Sequence, residues 1–300
     1  MTGDEATNEP KQLWSHTTVN VADAEAVLLE AKSVLDAQGV PFFLRQGTCL
    51  GAVRDGVIMP WDDDVDIGSI FGMHGFTEQM IEPAATALRE RGFEVTAMPI
   101  GDDVFIGLIK LDTRVDWFCY RVKSDFVTHY PGVEIPIRLF VDLAEINFLS
   151  ERFLIPNPPE EYLSIKYGPD WTTPKPVGYE RDALGSVPDP EDAHWYQKLG
   201  RRIAVRLSSK HRVRFDLRDS TGEPLAGATV TIAGASRGRT DAAGHVTLYV
   251  PNSGPYAVIV GHGNTEEILY EEVLTAGHLH VYTADSQKSE GRAYVLVGKS

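Results

Sequence analysis

Four aspartates fall within five positions of the stretch PWDDDVDIG, residues 60–68: Asp62, Asp63, Asp64 and Asp66. Carboxylates about 4 Å apart repel by roughly 1 kcal/mol per pair in water, and by about 4 kcal/mol at an effective dielectric of about 20. A fold must hold them against positive charge. The flanks are Pro60-Trp61 on one side and Val65 and Ile67 on the other, a poor setting for a free, solvated loop. DVDIGSI (64–70) alternates polarity as a strand does, so Asp64 and Asp66 present carboxylates to one side. Asp62 shares their parity, and Asp63 is expected to face away if the strand reaches it. Hard oxygen donors in this pattern suit Mg²⁺ or Mn²⁺. Calcium in an EF-hand loop is excluded by spacing, because Ile67 stands where that loop needs glycine and Met73 where it needs glutamate.

The surroundings give the acids a scaffold. VADAEAVLLEAKSVLDAQG reads as an amphipathic helix with Val27, Leu28, Ala31, Val34 and Leu35 on one face, stopped at Gly39. VPFFL (40–44) reads as a short strand. RQGTCLGAVRDG follows, where Gly47 and Gly51 predict a tight, glycine-rich turn able to bring backbone N–H groups to phosphate oxygens. Arg54 would add a bidentate phosphate contact. A second helix is expected from Thr77 to Arg91, with Pro83 disturbing its first half. FEVTA, VFIGLIK and RVDWFCY read as strands, the last with Val115, Trp117 and Cys119 on one side and Asp116, Phe118 and Tyr120 on the other. Helix, strand, turn, strand, helix and further strands make an α+β domain with a mixed sheet flanked by helices.

The chain has 300 residues, enough for two domains, and 43% hydrophobic residues, enough for sizeable cores. Its formal net charge of −15 argues against broad binding to nucleic acid or anionic membranes. The two cysteines, Cys49 and Cys119, fit neither a zinc pattern nor a disulfide framework. The polar N-terminal stretch has no apolar segment of signal-peptide type, and no run is long enough for an integral membrane helix. A cytoplasmic protein is expected, with a peripheral place at the inner membrane face open to it.

Residues 174–192 are rich in Pro, Gly and charge and read as a linker or surface loop. A basic segment follows, with Arg201, Arg202, Arg206, Lys210, Arg212 and Arg214, read as a solvated helix face. From residue 211 the texture changes to short alternating strands, with Val213, Phe215 and Leu217, then Val230 and Ile232, then Val246, Leu248 and Val250 facing inward. Regular Gly, Pro and Asn turns make this a β-sandwich. The expected layout is a tail at 1–18, an α+β domain at 19–175, a linker and basic helical segment at 176–210, and a β-sandwich at 211–300.

FLRQGTCLGAVRDGVIMPWDDDVDIG resembles the pattern of the LicD/fukutin-related family, roughly G-T-L-L-G-A-x-R followed by P-W-D-D-D-x-D-[IL]. RVDWF (114–118) resembles that family's V-D-[IVW]-F strand, and residues 144–171 its closing block of a strand pair, I-P-x-x-P-E-x-Y-L and Y-G-x-W. Cys49 replaces the usual leucine, and Pro169 is an addition to the last block. The resemblance implies a nucleotidyltransferase fold. It maps a G-[ST] turn to Gly47-Thr48, paired metal-binding acids to Asp64 and Asp66, an extra acid to Asp62 and a third catalytic acid to Asp116, with Asp142 in LFVDLAE as its rival. The C-terminal pattern G-x-P-L-x-G-A-x-V-x-I with T-D-x-x-G resembles the carboxypeptidase-regulatory or transthyretin-like Ig-type module, which binds or orients.

The resemblance further implies transfer of a phospho-alcohol, of phosphocholine or polyol-phosphate type, from a CDP-activated donor to a hydroxyl of a glycan or small acceptor. Mg²⁺ or Mn²⁺ held by Asp64, Asp66 and Asp116 would screen the donor phosphates and activate the attacking hydroxyl. Gly47, Thr48, Gly51 and Arg54 would position the nucleotide phosphates. Lys110, on the strand before Asp116, is a weaker phosphate contact, with an ordinary surface lysine as the alternative. Replacing Asp64 or Asp66 with alanine is expected to abolish turnover and leave the fold intact. Two other functions use the same residues: nucleotidyl transfer from an NTP, and a non-catalytic binding protein built on a degenerate core. A D-x-D glycosyltransferase fits the preceding G-T turn poorly.

Overall fold

The structure is a computed structural model and describes residues 18–176, 178–285, 292 and 295–299. The tail expected at 1–18 therefore lies, up to Thr17, outside the described residues, as does part of the last expected strand, RAYVLVG. Along the chain run α1 (Val21–Ala37), β1 (Phe43–Leu44), α2 (Gln46–Arg54), β2 (Val65–Ile70), α3 (Ile81–Glu90), β3 (Glu94–Ile100), β4 (Asp103–Lys110) and β5 (Thr113–Tyr120). Two hairpins follow, β6 (Phe126–His129) with β7 (Val133–Pro136) and β8 (Ala144–Phe148) with β9 (Glu151–Ile155). Then come α4 (Pro159–Tyr167), α5 (Tyr179–Gly185) and α6 (Trp195–Leu207). The remaining strands are β10 (Arg212–Arg218), β11 (Thr229–Ile232), β12 (Ser236–Arg239), β13 (His245–Tyr249), β14 (Gly254–His262), β15 (Thr265–Leu274), β16 (Leu279–Thr283) and β17 (Val297–Lys299). Among the described residues no helix is long and apolar enough to cross a membrane.

The chain forms two compact units. The first comprises residues up to 99, 103–122 and 140–159. Its centre is a five-stranded mixed sheet in the order β1-β2-β5-β4-β3. β2 runs parallel to β5, while β1 and β4 pair antiparallel with β2 and β5 respectively. Asn20 caps α1, its side chain accepting from the N–H groups of Ala22 and Asp23 at 3.0 and 3.3 Å. Val27, Leu28, Ala31, Val34 and Leu35 are all buried as the periodicity requires, and Gly39 leaves the helix at φ 67°. The second helix is shorter than expected, because a single 3₁₀ turn at Glu78–Met80 precedes α3. Its Pro83 falls in the first turn of α3, where no intrahelical N–H is lost.

The alternation of RVDWFCY does not divide β5 into a wet and a dry face. β2 is buried along its whole length and β5 almost so, as fits inner strands of a sheet covered on both sides. Trp117 donates its indole N–H to Ser69 Oγ at 3.0 Å, which ties β5 to β2 through side chains as well.

The second unit comprises residues 100–102, 123–139 and 160–300. It holds two four-stranded sheets, β13-β10-β16-β17 and β12-β11-β14-β15. Val213, Phe215 and Leu217 of the first and Val230, Ile232, Val258 and Val260 of the second belong to one hydrophobic cluster. The stretch 174–192 is more ordered than a linker, containing α5 and a 3₁₀ turn at Pro190–Asp192. Lys175 helps to hold it, bonding Asp170 at 2.7 Å and Asp182 at 2.5 Å.

Candidate active site

β2 and β5 run parallel and in register, so Asp66 lies directly beside Asp116, and Asp64 leads into β2 one residue before it starts. The start of α2 is stitched to the same strand. The Asp66 N–H donates to Thr48 Oγ1 at 2.7 Å, and the Arg45 N–H donates to the Asp66 carbonyl at 3.2 Å. The segment expected as a glycine-rich turn is this helix, Gln46–Arg54. Its glycines serve close approach. A Cβ on Gly47 would stand 2.3 Å from Asp62 Oδ2, and one on Gly51 would stand 2.6 Å from the Val57 carbonyl. The loop from Val57 to Asp62 can fold down on α2 only because both positions lack a side chain.

The strand begins at Val65, so alternation does not govern Asp63. The structure brings carboxylate oxygens of Asp62, Asp63 and Asp64 within 4.8 Å of one another. Asp63 thus joins the cluster it was expected to face away from.

Two arginines absent from the sequence-based site sit among the acids, and both are buried. Arg45 Nη2 pairs with Asp66 Oδ1 at 2.6 Å, while its Nε donates to the Ile67 carbonyl at 3.1 Å. Arg114 forms a very short ion pair with Asp64, and lies 3.2 Å from Asp116 Oδ1 and 3.8 Å from Asp63 Oδ2. Burial opposes its charge, but the fields of Asp64, Asp116 and Asp63 hold the guanidinium proton more tightly than usual. Parity along β5 was the available signal for Arg114, which is two residues before Asp116. Arg45 gave no such signal, because β1 is only two residues long.

Burial, then the negative fields of Asp64, Asp66 and Asp63, push the Asp62 carboxyl well above the ordinary carboxylate range. Asp116 is raised likewise, burial and the acids Asp64 and Asp66 outweighing the pull of Arg114 and Arg45. Its Oδ1 makes no hydrogen bond among the described residues. Among the described residues, the carboxylates of Asp62, Asp63, Asp64, Asp66 and Asp116 face only the guanidiniums of Arg45 and Arg114, a donor set short of positive charge. The residues present therefore fit a divalent ion with oxygen ligands.

The other expected residues lie as follows. Thr48 is buried, and its hydroxyl oxygen is engaged by the Asp66 N–H. Arg54 lies at the far end of α2, about 10 Å along the axis from Gly47, and grips Asp55 with Nε and Nη2 at 3.0 and 2.7 Å. Lys110 bonds Glu30 Oε2 at 2.5 Å and the Arg91 carbonyl at 2.6 Å, so it is held by α1 rather than by the acids. Asp142 is exposed in a turn before β8. The alanine expectation for Asp66 gains a stability cost: removing its carboxylate would strip buried Arg45 of its ion pair.

Residues 39–158 match the family described as LicD/FKTN/FKRP, nucleotidyltransferase domain. The Ribitol 5-phosphate transferase FKRP of Mus musculus is 33% identical over 144 residues, covering 45% of this chain and 29% of that protein. The Homo sapiens FKRP matches with the same identity and coverage. The Ribitol-5-phosphate transferase FKTN of Homo sapiens is 25% identical over 160 residues, covering 50% of this chain and 33% of that protein. The chain thus spans about a third or less of the length of these relatives. The solution structure of the antibiotic-resistance factor ANT(2'')-Ia aligns with 55% of this chain and 85% of its own, at 14% identity and a TM-score of 0.37. Residues 39–158 are thus similar to the LicD-type nucleotidyltransferase domain.

Proposed function

We propose, with a LicD-like transferase domain as the premise, that this protein transfers a phospho-alcohol, such as a polyol phosphate, from a CDP-activated donor to a hydroxyl of a glycan or related acceptor. The observation that carries the reading is the register that sets Asp66 beside Asp116, with Asp64 two residues earlier and Asp62 seated on Gly47. Asp62, Asp64, Asp66 and Asp116 would hold Mg²⁺ or Mn²⁺. Such an ion, when bound, neutralises donor phosphate charge and lowers the pKa of a bound hydroxyl.

The chain's own residues have distinct tasks. Arg114 and Arg45 fix the rotamers of Asp64, Asp66 and Asp116 through ion pairs. The N-terminal turn of α2 would set its positive dipole end toward donor phosphates. Gly47 leaves room for the Asp62 carboxylate and Gly51 for the Val57 carbonyl. Asp116 would accept the proton of the attacking hydroxyl. Arg54 and Lys110 keep to their structural ion pairs with Asp55 and Glu30.

We read the two sheets of the second unit as a β-sandwich of transthyretin-like Ig type that binds or orients and does no chemistry, supported by their shared core. The buried, free cysteines Cys49 and Cys119 suit a reducing compartment, and we assign the protein to the cytoplasm.

Phosphorus NMR of the products tests the reaction. Incubation with CDP-ribitol, CDP-choline or CDP-glycerol, a glycan acceptor and Mg²⁺ should yield CMP and a new phosphodiester. Pyrophosphate released from CTP, with the nucleotide joined to the acceptor, would replace this reading with nucleotidyl transfer.

A further inference from the structure

α6 lies outside the matched transferase segment and is the most unusual helix of the chain. A capping interaction defines its start, the His194 N–H donating to Gln197 Oε1 at 3.0 Å, and 13 residues give it a length of about 20 Å. It rests against β13 and β10 on its Arg201, Ala204 and Val205 side, with the Arg201 guanidinium 6.0 Å from the Tyr249 ring centre. None of its residues is buried. Trp195 is 76% exposed, Tyr196 56%, Leu199 49%, Ile203 47% and Leu207 83%.

These side chains are not scattered. At about 100° per residue they span an arc about 120° wide, interrupted by Arg206 about 20° inside one edge. Arg202 lies about 20° outside that edge, next to Trp195; both arginines are exposed, and neither has an ion pair or side-chain hydrogen bond among the described residues. No Asp or Glu occurs from Ala193 to Phe215, while Lys210, Arg212 and Arg214 continue the positive run. In a chain of net charge −15 such a stretch stands out as the cationic region.

We propose that α6 is an interfacial membrane helix, which lays its Trp195–Leu199–Ile203–Leu207 face among lipid acyl chains and sets Arg202 and Arg206 against anionic headgroups. The chemistry selects the partner. A polyanion such as RNA would use the arginines and leave Leu199, Ile203 and Leu207 in water. A protein groove would not require a helix margin of unpaired arginines. Aromatic residues at one end, aliphatic residues along the face and cations at the edge match a water–lipid boundary. The overall negative charge opposes approach, so binding depends on this patch and weakens with salt. The inference is independent of the transferase reading, since none of these residues belongs to the acidic site.

Co-sedimentation of the full chain with vesicles tests it, using phosphatidylcholine alone and phosphatidylcholine with about one third phosphatidylglycerol. The account predicts binding to the anionic vesicles, with little to neutral ones. Arg202→Gln with Arg206→Gln should weaken it about 30-fold, at about fivefold per arginine. Leu199→Ser with Ile203→Ser should weaken it about tenfold or more. All four positions are exposed, so unchanged melting curves should accompany both variants. No binding to anionic vesicles, equal binding to neutral ones, or wild-type binding by either variant would overturn the proposal. Retention on single-stranded RNA or polyglutamate without retention on vesicles would also overturn it.

Discussion

Gly47→Ala is the sharpest perturbation of the acidic site, because it alters no charge. The new Cβ would stand 2.3 Å from Asp62 Oδ2, against ordinary contacts of 3.4 Å or more. Subtraction (3.4 − 2.3) gives about 1.1 Å by which the Asp62 carboxylate must retreat. The folding cost is small for two reasons. Overpacking costs about 1–3 kcal/mol, but alanine is about 1 kcal/mol better than glycine inside a helix, and Gly47 has no left-handed φ to lose. The net is about 0–2 kcal/mol, a fall of less than about 8 °C in melting temperature. Turnover suffers far more, since a misplacement of about 1 Å in a positioned group costs about 100-fold. The assay is kcat with the donor identified by product analysis, together with Mn²⁺ affinity by titration calorimetry. Gly200→Ala, where a Cβ meets open space in α6, is the control. Wild-type kcat and unchanged Mn²⁺ affinity in Gly47→Ala would refute the reasoning that Asp62 works from its seat on Gly47.

Other expectations follow from the ion pairs and the second unit. Asp66→Ala should lose about 3 kcal/mol of stability as well as activity, because it leaves buried Arg45 without its carboxylate, and a denaturant melt reads this directly. Arg114→Gln should be destabilised without metal, since Asp64 and Asp116 lose their cation. Mg²⁺ should then raise its melting temperature more than it raises that of the wild type, and an equal rise would contradict the neutralising role. Burial holds the His280 imidazole below its ordinary value, partly offset by its bond to Thr275 and reinforced by His278. The unfolded chain therefore takes up a proton at His280 first as pH falls below about 6.5, so stability is lost on acidification. His280→Asn should flatten that loss in melts between pH 7 and 5, and an unchanged slope would assign it elsewhere.

Much of the acidic site was legible because its signals are local. The D-x-D spacing, the strand beginning beside it and the burial of α1's apolar face all follow from short-range alternation and periodicity. Gly47 and Gly51 misled for a physical reason. Glycine is unfavourable inside a helix, so a pair of them reads as a turn until the loop that packs on them is known. Asp63 misled because parity holds only within a strand, and β2 starts two residues later. Lys110 is settled by Glu30, eighty positions away in sequence and contributed by α1. Arg45 is settled by the pairing of β1 with β2, which no local pattern encodes. α6 shows the reverse case. Its arginines drew the reading of a solvated basic face, and only the structure reveals the exposed apolar side chains beside them.

The central claim is that the acidic cluster, once loaded with a divalent ion, receives a CDP-linked alcohol. Thermal unfolding with CDP-ribitol, CDP-choline, CDP-glycerol, CTP, ATP and UDP-sugars, each with and without Mg²⁺ or Mn²⁺, tests it most directly. A ligand at about 100-fold over its Kd adds about 2.7 kcal/mol to the state that binds it. The account predicts a clear rise in melting temperature with one CDP-alcohol, present only with metal and absent in Asp64→Asn. A rise that is the same without metal, or one that persists in Asp64→Asn, would contradict it.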